Sequence, residues 1–272
     1  AAGSDLPIGA LGSGSDYSAF IQHLGIASLD VGFGGEDDNA GIYHSRYDSF
    51  DHFDRFGDPG FKYEVALAQL GGRIVLRTAD ADLLPMRFGD FSATFDRYVA
   101  QLHKLADEAR KKADAQHKLL DAHDYELVSD PTRPAAPPER LSDVPQIDFA
   151  PLDAAAKSLH ASTQAFDAAY AARAASGFKL SAKQSARIDE LMGRMEQALT
   201  DPNGLPGRDW FKHMIYAPGL LTGYGVKTVP GVREALEARN WQQADQYAAI
   251  TAKVLDGYRA ELDKLTALLQ AN

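Results

Sequence analysis

A short polar segment in the first quarter of the chain brings together side chains that could do chemistry. It opens with Tyr43 beside His44. A second histidine and three acidic residues follow closely: His52, Asp48, Asp51 and Asp54. Imidazole is the commonest neutral metal ligand, and a neighbouring phenol can donate a hydrogen bond to an oxyanion. A histidine in a polar loop is more often a surface or hydrogen-bonded residue than a ligand, so residue types alone leave the role of His44 open.

Aromatic residues at every third position favour a structural role for the rest of this segment. Phe50, Phe53 and Phe56 are expected to point inward, with the acidic residues between them in water. His52 is therefore interpreted as a structural residue.

Composition bounds the class of protein. The chain has 272 residues, of which 45% are hydrophobic, enough for one large or two ordinary globular domains. A formal charge of −10 argues against nucleic acid as a partner, because phosphate binding favours a basic surface. There is no cysteine, so a metal site would have to use histidine and carboxylate ligands. No run of about 18 apolar residues is present, so no membrane span is predicted.

The beginning of the chain combines loop and short elements. Residues 1–15 are rich in glycine and serine and are predicted to form a loop, and the lack of an initiator methionine makes us expect a piece of a longer protein. A short helix is predicted over 17–24, ending at Gly25, and a short strand over 26–33. The acid-rich turn 34–39 is interpreted as solvated.

A second helix is predicted to begin at Asp58-Pro59, where aspartate can cap and proline suits the first turn. The helical segment 61–79 has apolar residues on nearly every face, which predicts that it is buried in a larger body. Gly71 and Gly72 in its middle suggest a kink or the close approach of a neighbour.

The remainder is predicted to be mostly helical. A long charged helix is expected over 90–123, and the six prolines of 130–151 predict a semi-rigid connector. Four more helices suited to an antiparallel bundle are predicted, over 149–176, 180–199, 230–239 and 241–271. The segment 200–230, rich in glycine, proline and aromatic residues, is expected to be an ordered loop that reaches toward a neighbour or a site.

Two stretches, taken together, closely resemble the family of glutamate carboxypeptidase II and the transferrin receptor. One is LGSGSDYSAFIQHLGIAS followed by YHSRYDSFDHFDRFGDPGFKYEVALAQLGG, and the other is LTDPNGLPGRDWFKHMIYAPG followed by Tyr224 and Pro230-Gly231. The resemblance runs from about Leu11 to the end of the chain. It implies that residues 1–82 are the last portion of an α/β zinc-peptidase domain and that residues 83–272 form a helical dimerisation domain. The expected fold is thus an α+β chain that is mostly α.

The resemblance also assigns roles to particular residues. It implies that His44 ligates one of two zinc ions and that Tyr43 hydrogen-bonds the tetrahedral intermediate. It implies substrate-binding roles for four residues: Ser13, Gly14, Ser15 and Tyr224. It gives no role to three other histidines, which stay structural: His23, His52 and His213. The remaining zinc ligands and the general base are implied to lie upstream, so this chain alone is expected to be inactive.

Departures from the family pattern concern the substrate. Two arginines that attract acidic side chains in glutamate carboxypeptidase II fall on Asp30 and Gly32, and an asparagine of its serine–glycine loop falls on Ser15. A lysine that precedes the substrate-gripping tyrosine falls on Gly223, while Tyr224 is present. A carboxylate in place of a guanidinium cannot favour an acidic residue, so a general carboxypeptidase or aminopeptidase is expected.

Three hypotheses follow for function. The first is part of a homodimeric dizinc exopeptidase that acts on peptides. The second is a non-catalytic, receptor-like or scaffold relative, against which the presence of Tyr43 and His44 argues. The third is a helical dimerisation module with a vestigial α/β edge. By analogy with exported bacterial relatives, a periplasmic or secreted location is expected.

Overall fold

The chain folds into two compact units, and each is described by itself. The computed structural model describes four stretches of the chain: residues 8–34, 41–133, 135–177 and 180–271. One unit consists of residues 29–85, and the other, the helical unit, combines residues 1–28 with residues 86–272. The protein is mostly helical, as the sequence predicts. The domain boundary predicted between residues 82 and 83 stays a prediction.

The smaller unit is dominated by one long helix. Helix α1 (Phe50–His52) runs into a π-helical turn (Phe53–Gly57), and α2 follows at Lys62–Ala79. The buried Asp58 side chain accepts a hydrogen bond from the backbone N–H of Glu64 at 2.9 Å. Aspartate thus satisfies an amide of the first turn, as expected, although the helix begins later than Pro59.

Two sequence expectations are wrong in this part of the chain, and a third stays a prediction. Residues 26–33 form no strand, because no described segment pairs with them. Phe50 and Phe56 do not point inward, since they are 73% and 72% exposed. Helix α2 buries none of its side chains within the described residues, and its expected burial in a larger body stays a prediction. Each expectation needed a packing or hydrogen-bonding partner that the described residues of this unit do not supply.

The glycine pair of α2 causes no break. The helix is continuous across Gly71 and Gly72, and no described atom lies within 4 Å of the position that a Cβ would take at either residue. The expected close approach is therefore not seen. The acid-rich turn predicted at 34–39 lies, apart from Gly34, outside the described residues.

The helical unit confirms the predicted helices to within a few residues, except that the helix predicted over 180–199 ends at Gly193, six residues early. Its helices are α3 (Phe88–Asp121), α4 (Asp124–Leu127), α5 (Ala150–Ala175), α6 (Ala182–Gly193), α7 (Pro230–Glu237) and α8 (Trp241–Gln270). A π-helical turn at Ala19–Leu24 ends at Gly25 in the left-handed conformation, as predicted. A 3-10 turn spans Met195–Leu199, and an antiparallel hairpin pairs β1 (Tyr216–Pro218) with β2 (Val226–Thr228).

A seven-residue apolar repeat builds the core of this unit. On α8, buried residues recur at two positions of each heptad: Ala244, Ala248, Thr251, Leu255, Tyr258, Leu262, Leu265 and Leu269. The same repeat places Phe95 and Leu102 of α3, and Leu159 and Phe166 of α5, in the fully buried core. Such a repeat presents one continuous seam to neighbouring helices. Helix α8 accordingly packs against α5, α6 and α7, while α3 packs against α5 and α7.

The proline-rich connector is extended and fastened at several points. Arg140 donates two hydrogen bonds to Asp121 at 2.7 and 3.2 Å, and this contact lowers the pKa of the Asp121 carboxyl. The Gln116 amide of α3 donates to the Glu139 carbonyl at 3.1 Å and accepts from the Leu141 N–H at 2.8 Å. The predicted connector is thus held on the surface of α3. No helix among the described residues is long and apolar enough to cross a membrane.

Candidate active site

The Tyr43-His44 pair lies on a tight turn in the smaller unit. The Ile42 carbonyl accepts hydrogen bonds from the N–H and the hydroxyl of Ser45, at 3.0 and 2.7 Å. His44 has a φ of 63°, in the left-handed region that a non-glycine residue adopts at some energetic cost. Its N–H makes a long 3.4 Å hydrogen bond to the Asp48 carboxylate. Backbone strain of this kind is found at functional sites, where it points toward a role for the residue.

The turn presents the two rings side by side. The centroids of the Tyr43 phenol and the His44 imidazole lie 3.8 Å apart, with the ring planes at 23°. Both side chains are exposed, and Tyr43 is 57% exposed. The imidazole is therefore accessible to a ligand, and the phenol is held next to it.

A complete metal site is not assembled by the described residues. Among them, no group of three or more histidine and carboxylate side chains is placed to hold a metal ion. His44 can offer one nitrogen ligand, and a zinc site needs three or four protein ligands.

The other histidines that the sequence interprets as structural make structural contacts. His213 is fully buried; its Nδ1 accepts the N–H groups of Ile215 and Tyr216, and its Nε2 lies 2.9 Å from Glu196. Burial raises the pKa of the Tyr216 phenol, so the Tyr216 ring that stacks on His213 stays neutral. His23 hydrogen-bonds the Trp210 carbonyl at 2.8 Å and stacks on its ring.

Tyr224 lies at the tip of the β1–β2 hairpin in the helical unit. The turn closes through a hydrogen bond from the Gly219 N–H to the Gly225 carbonyl at 2.9 Å, and Thr222 donates its hydroxyl to the same carbonyl at 2.7 Å. Gly223 has a φ of 58°, a conformation that glycine adopts without strain. The Tyr224 side chain remains 57% exposed and can contact a ligand.

A buried ion pair fixes the base of this hairpin. The Arg208 guanidinium donates to the Pro218 carbonyl and to the Glu234 carboxylate of α7. The side chains of Arg208 and Glu234 are only 10% and 20% exposed. The other oxygen of Glu234 accepts the N–H of Leu220 at 2.6 Å. The pair thus joins the loop, the hairpin and α7.

Residues of the N-terminal loop contact Tyr224 directly. The Ser13 N–H donates to the Tyr224 carbonyl at 3.2 Å. Gly14 has a φ of 106°, and a Cβ there would lie 3.1 Å from the Tyr224 ring. Ser15 is exposed, and its carbonyl accepts the N–H and the hydroxyl of Ser18. All four residues predicted to bind substrate therefore lie in the helical unit. Three of them, Ser13, Gly14 and Tyr224, are close to one another.

The candidate residues thus fall into two sets, and their roles stay predictions. Tyr43 and His44 belong to the unit of residues 29–85, whereas Ser13, Gly14 and Tyr224 belong to the helical unit. The supporting residues Arg208 and Glu234 have no signal in the sequence, since an ion pair between residues 26 positions apart leaves no pattern.

Comparison with known proteins places this architecture in a family. Residues 147–263 match the transferrin receptor-like dimerisation domain. The chain is 33% identical over 249 residues to a probable glutamate carboxypeptidase of Arthroderma benhamiae, covering 88% of this chain and 28% of that protein. It is 32% identical over 229 residues to the probable glutamate carboxypeptidase LAMP1 of Arabidopsis thaliana, covering 83% and 27%. It is 26% identical over 282 residues to the aminopeptidase NAALADL1 of Rattus norvegicus, covering 96% and 32%.

The chain therefore belongs to the glutamate carboxypeptidase and transferrin receptor-like family, and it carries that family's dimerisation domain. It spans between 27% and 32% of the length of these relatives.

The ion pair predicts a large difference between two glutamates of α7. Glu234→Leu should lower the free energy of unfolding of the helical unit by about 3–5 kcal/mol, because it leaves the buried Arg208 charge unpaired. Glu237→Leu is the matched control, since Glu237 pairs with Lys227 at 2.7 Å in a more exposed position and should cost about 1 kcal/mol or less. Denaturant titration measures both values. Equal losses in the two variants would show that the buried pair has no special role.

Proposed function

We propose that this chain is the C-terminal part of a zinc-dependent exopeptidase that hydrolyses peptides, and that it is inactive alone. The observation that carries the proposal is the Tyr43-His44 pair, exposed on a strained turn in a chain of the peptidase family. The apolar side chains that α2 exposes also favour a larger body around the smaller unit. They are Tyr63, Val65, Leu70, Val75 and Leu76, and they range from 46% to 70% exposed.

The residues present fit one part of a zinc site. The exposed imidazole of His44 is a suitable nitrogen ligand, and the remaining ligands would come from outside the described residues. Zinc, when bound, supplies an activated water and polarises the scissile carbonyl. The Tyr43 hydroxyl would donate a hydrogen bond to the developing oxyanion, since its ring is held beside the imidazole. Ser13, Gly14, Ser15 and Tyr224 would bind the peptide.

Zinc content and peptidase activity, measured side by side, test this assignment. The intact protein should contain zinc and cleave peptides, whereas the present chain should do neither. In the intact protein, His44→Ala should remove zinc and lower kcat/KM by at least about 100-fold, because a zinc ligand is lost. Zinc is quantified by elemental analysis after gel filtration.

Two variants control this test. His52→Ala changes a nearby histidine whose ring lies 5.2 Å from Phe56, and it should keep both zinc and activity. Tyr43→Phe should keep zinc and lower kcat by about 100-fold, since it removes only the oxyanion donor. Absence of zinc from the intact protein would favour a non-catalytic, receptor-like relative instead.

The proposed substrate class is broader than peptides ending in glutamate. The position that carries lysine in glutamate carboxypeptidase II is Gly223, and two nearby cations are already paired, Lys227 with Glu237 and Arg208 with Glu234. Asp30 stands where an arginine attracts acidic side chains. These features favour apolar or neutral side chains over acidic ones.

A peptide panel on the intact protein measures this preference. Peptides that present apolar residues at the cleavage site should be cleaved with kcat/KM at least equal to that of their glutamate counterparts. Loss of one charge-assisted contact removes about 1.5–3 kcal/mol of preference for glutamate, or about 10–100-fold. Gly223→Lys should restore part of that preference. Cleavage of acidic substrates alone would contradict the proposed specificity.

We further propose that the protein is a homodimer assembled through its dimerisation domain, residues 147–263. Light scattering at micromolar concentration should give twice the 29.5 kDa of this chain. A monomer at micromolar concentration would refute the proposal.

A further inference from the structure

We propose that Gln22 is a positioning residue for Tyr224. Its buried side-chain amide holds the loop of residues 11–14, and this loop sets the position of the Tyr224 backbone and ring. The inference rests on the proposed function, because Tyr224 contributes to catalysis only if it binds the peptide substrate. The following contacts connect the two residues.

Gln22 is firmly anchored in the helical unit. It is fully buried within the Ala19–Leu24 turn, and its carbonyl accepts the N–H groups of Lys212 and His213 at 2.8 and 3.3 Å. At the end of the same turn, a Cβ at Gly25 would lie 2.7 Å from the Cα of Gln197. The backbone that carries Gln22 therefore has little room to move.

The side chain of Gln22 reaches from this anchor to the N-terminal loop. Its Nε2 donates to the Leu11 and Gly12 carbonyls at 3.1 and 3.0 Å. Because both partners are carbonyl oxygens, only the NH₂ group can face them, which fixes the orientation of the amide. The buried Oε1 accepts no hydrogen bond from the described residues. A buried amide oxygen without a hydrogen bond costs free energy. The stabilising contribution of Gln22 therefore comes from the two hydrogen bonds that its NH₂ group donates to the loop.

The loop in turn contacts Tyr224 at three successive residues. A Cβ on Gly12 would lie 2.3 Å from the Tyr224 carbonyl oxygen and 2.9 Å from the Val226 nitrogen, so only glycine fits there. Ser13 donates its N–H to the same Tyr224 carbonyl, and a Cβ on Gly14 would lie 3.1 Å from the Tyr224 ring. Displacement of this loop therefore displaces Tyr224.

The test replaces the amide by an apolar side chain of similar length. Gln22→Met in the intact protein should raise KM about tenfold and change kcat less than about twofold, because substrate and transition state lose the same contact with Tyr224. Independently of activity, exchange of the Ser13 amide proton should accelerate at least about tenfold, since its acceptor is the displaced Tyr224 carbonyl. Hydrogen–deuterium exchange measures this.

Gln116→Met is the matched control. Gln116 makes the same kind of bridge, from α3 to the Glu139 and Leu141 backbone, and its loss should leave KM and Ser13 exchange unchanged. Equal effects of the two methionine variants would overturn the inference, as would unchanged KM and exchange in Gln22→Met. If Gln22→Met does not fold, Gln22→Leu removes the same two donors to the Leu11 and Gly12 carbonyls with a shorter side chain. It should produce the same rise in KM and the same faster exchange, and their absence would overturn the inference.

Tyr224→Ala separates this inference from the proposed function. Unchanged KM in Tyr224→Ala would refute the substrate-binding role of Tyr224. The Ser13 exchange rate in Gln22→Met would then still decide whether Gln22 positions the hairpin: faster exchange supports the inference, and unchanged exchange refutes it.

Discussion

The apolar seam of α8 is the constraint on which the rest of the helical unit depends. Its buried residues recur with a period of seven over the whole helix, so the neighbouring helices must lie along it. Helix α7 packs against α8, and Glu234 of α7 contacts the loop that precedes α7. Through the Arg208 pair, the hydrophobic core therefore fixes the base of a hairpin whose tip, at Tyr224, remains exposed. A rigid scaffold that carries a reactive loop is the common arrangement of a binding site.

Hydrogen bonds add to hydrophobic burial in ordering the hairpin and the loop beside it, where Met214 and Ala217 pack in a buried cluster with Leu205. The carbonyls of Pro218, Gly12 and Tyr224 each accept a hydrogen bond from another segment, Arg208, Gln22 and Ser13 respectively. A segment so rich in glycine has high conformational entropy when unfolded, and each of these bonds must offset part of it. Together with the buried side chains of Leu205, Met214 and Ala217, these bonds explain why the long loop is ordered, as its aromatic content predicted. They also explain why a small number of polar residues control its position.

Regular, periodic segments of this chain could be predicted from sequence, and its polar contacts could not. The helices α3, α5 and α8 follow from apolar spacing, and the proline-rich connector follows from composition, because both signals are local. The strand expected at 26–33 and the inward aromatic residues Phe50 and Phe56 depended on partners that the described residues do not provide. The contacts of Gln22 and Arg208 join segments far apart in sequence, so no spacing rule reveals them. The candidate site residues were assigned by family resemblance. The residues that hold them in place, Gln22 and Arg208, were identified only from the structure.

The two sets of candidate residues differ in what holds them. Tyr224 is supported by a hydrophobic core, whereas the turn that carries His44 relies on short-range hydrogen bonds to Ser45 and Asp48. Helix α2, the main element of the same unit, leaves its apolar side chains in water. A strained backbone conformation such as that of His44 persists only where surrounding contacts stabilise it. A bound ligand can provide such contacts. In the proposed enzyme, zinc bound to His44 and further protein packed on the apolar side chains of α2 would both stabilise this unit. Metal binding and the folding of residues 29–85 should therefore be thermodynamically coupled.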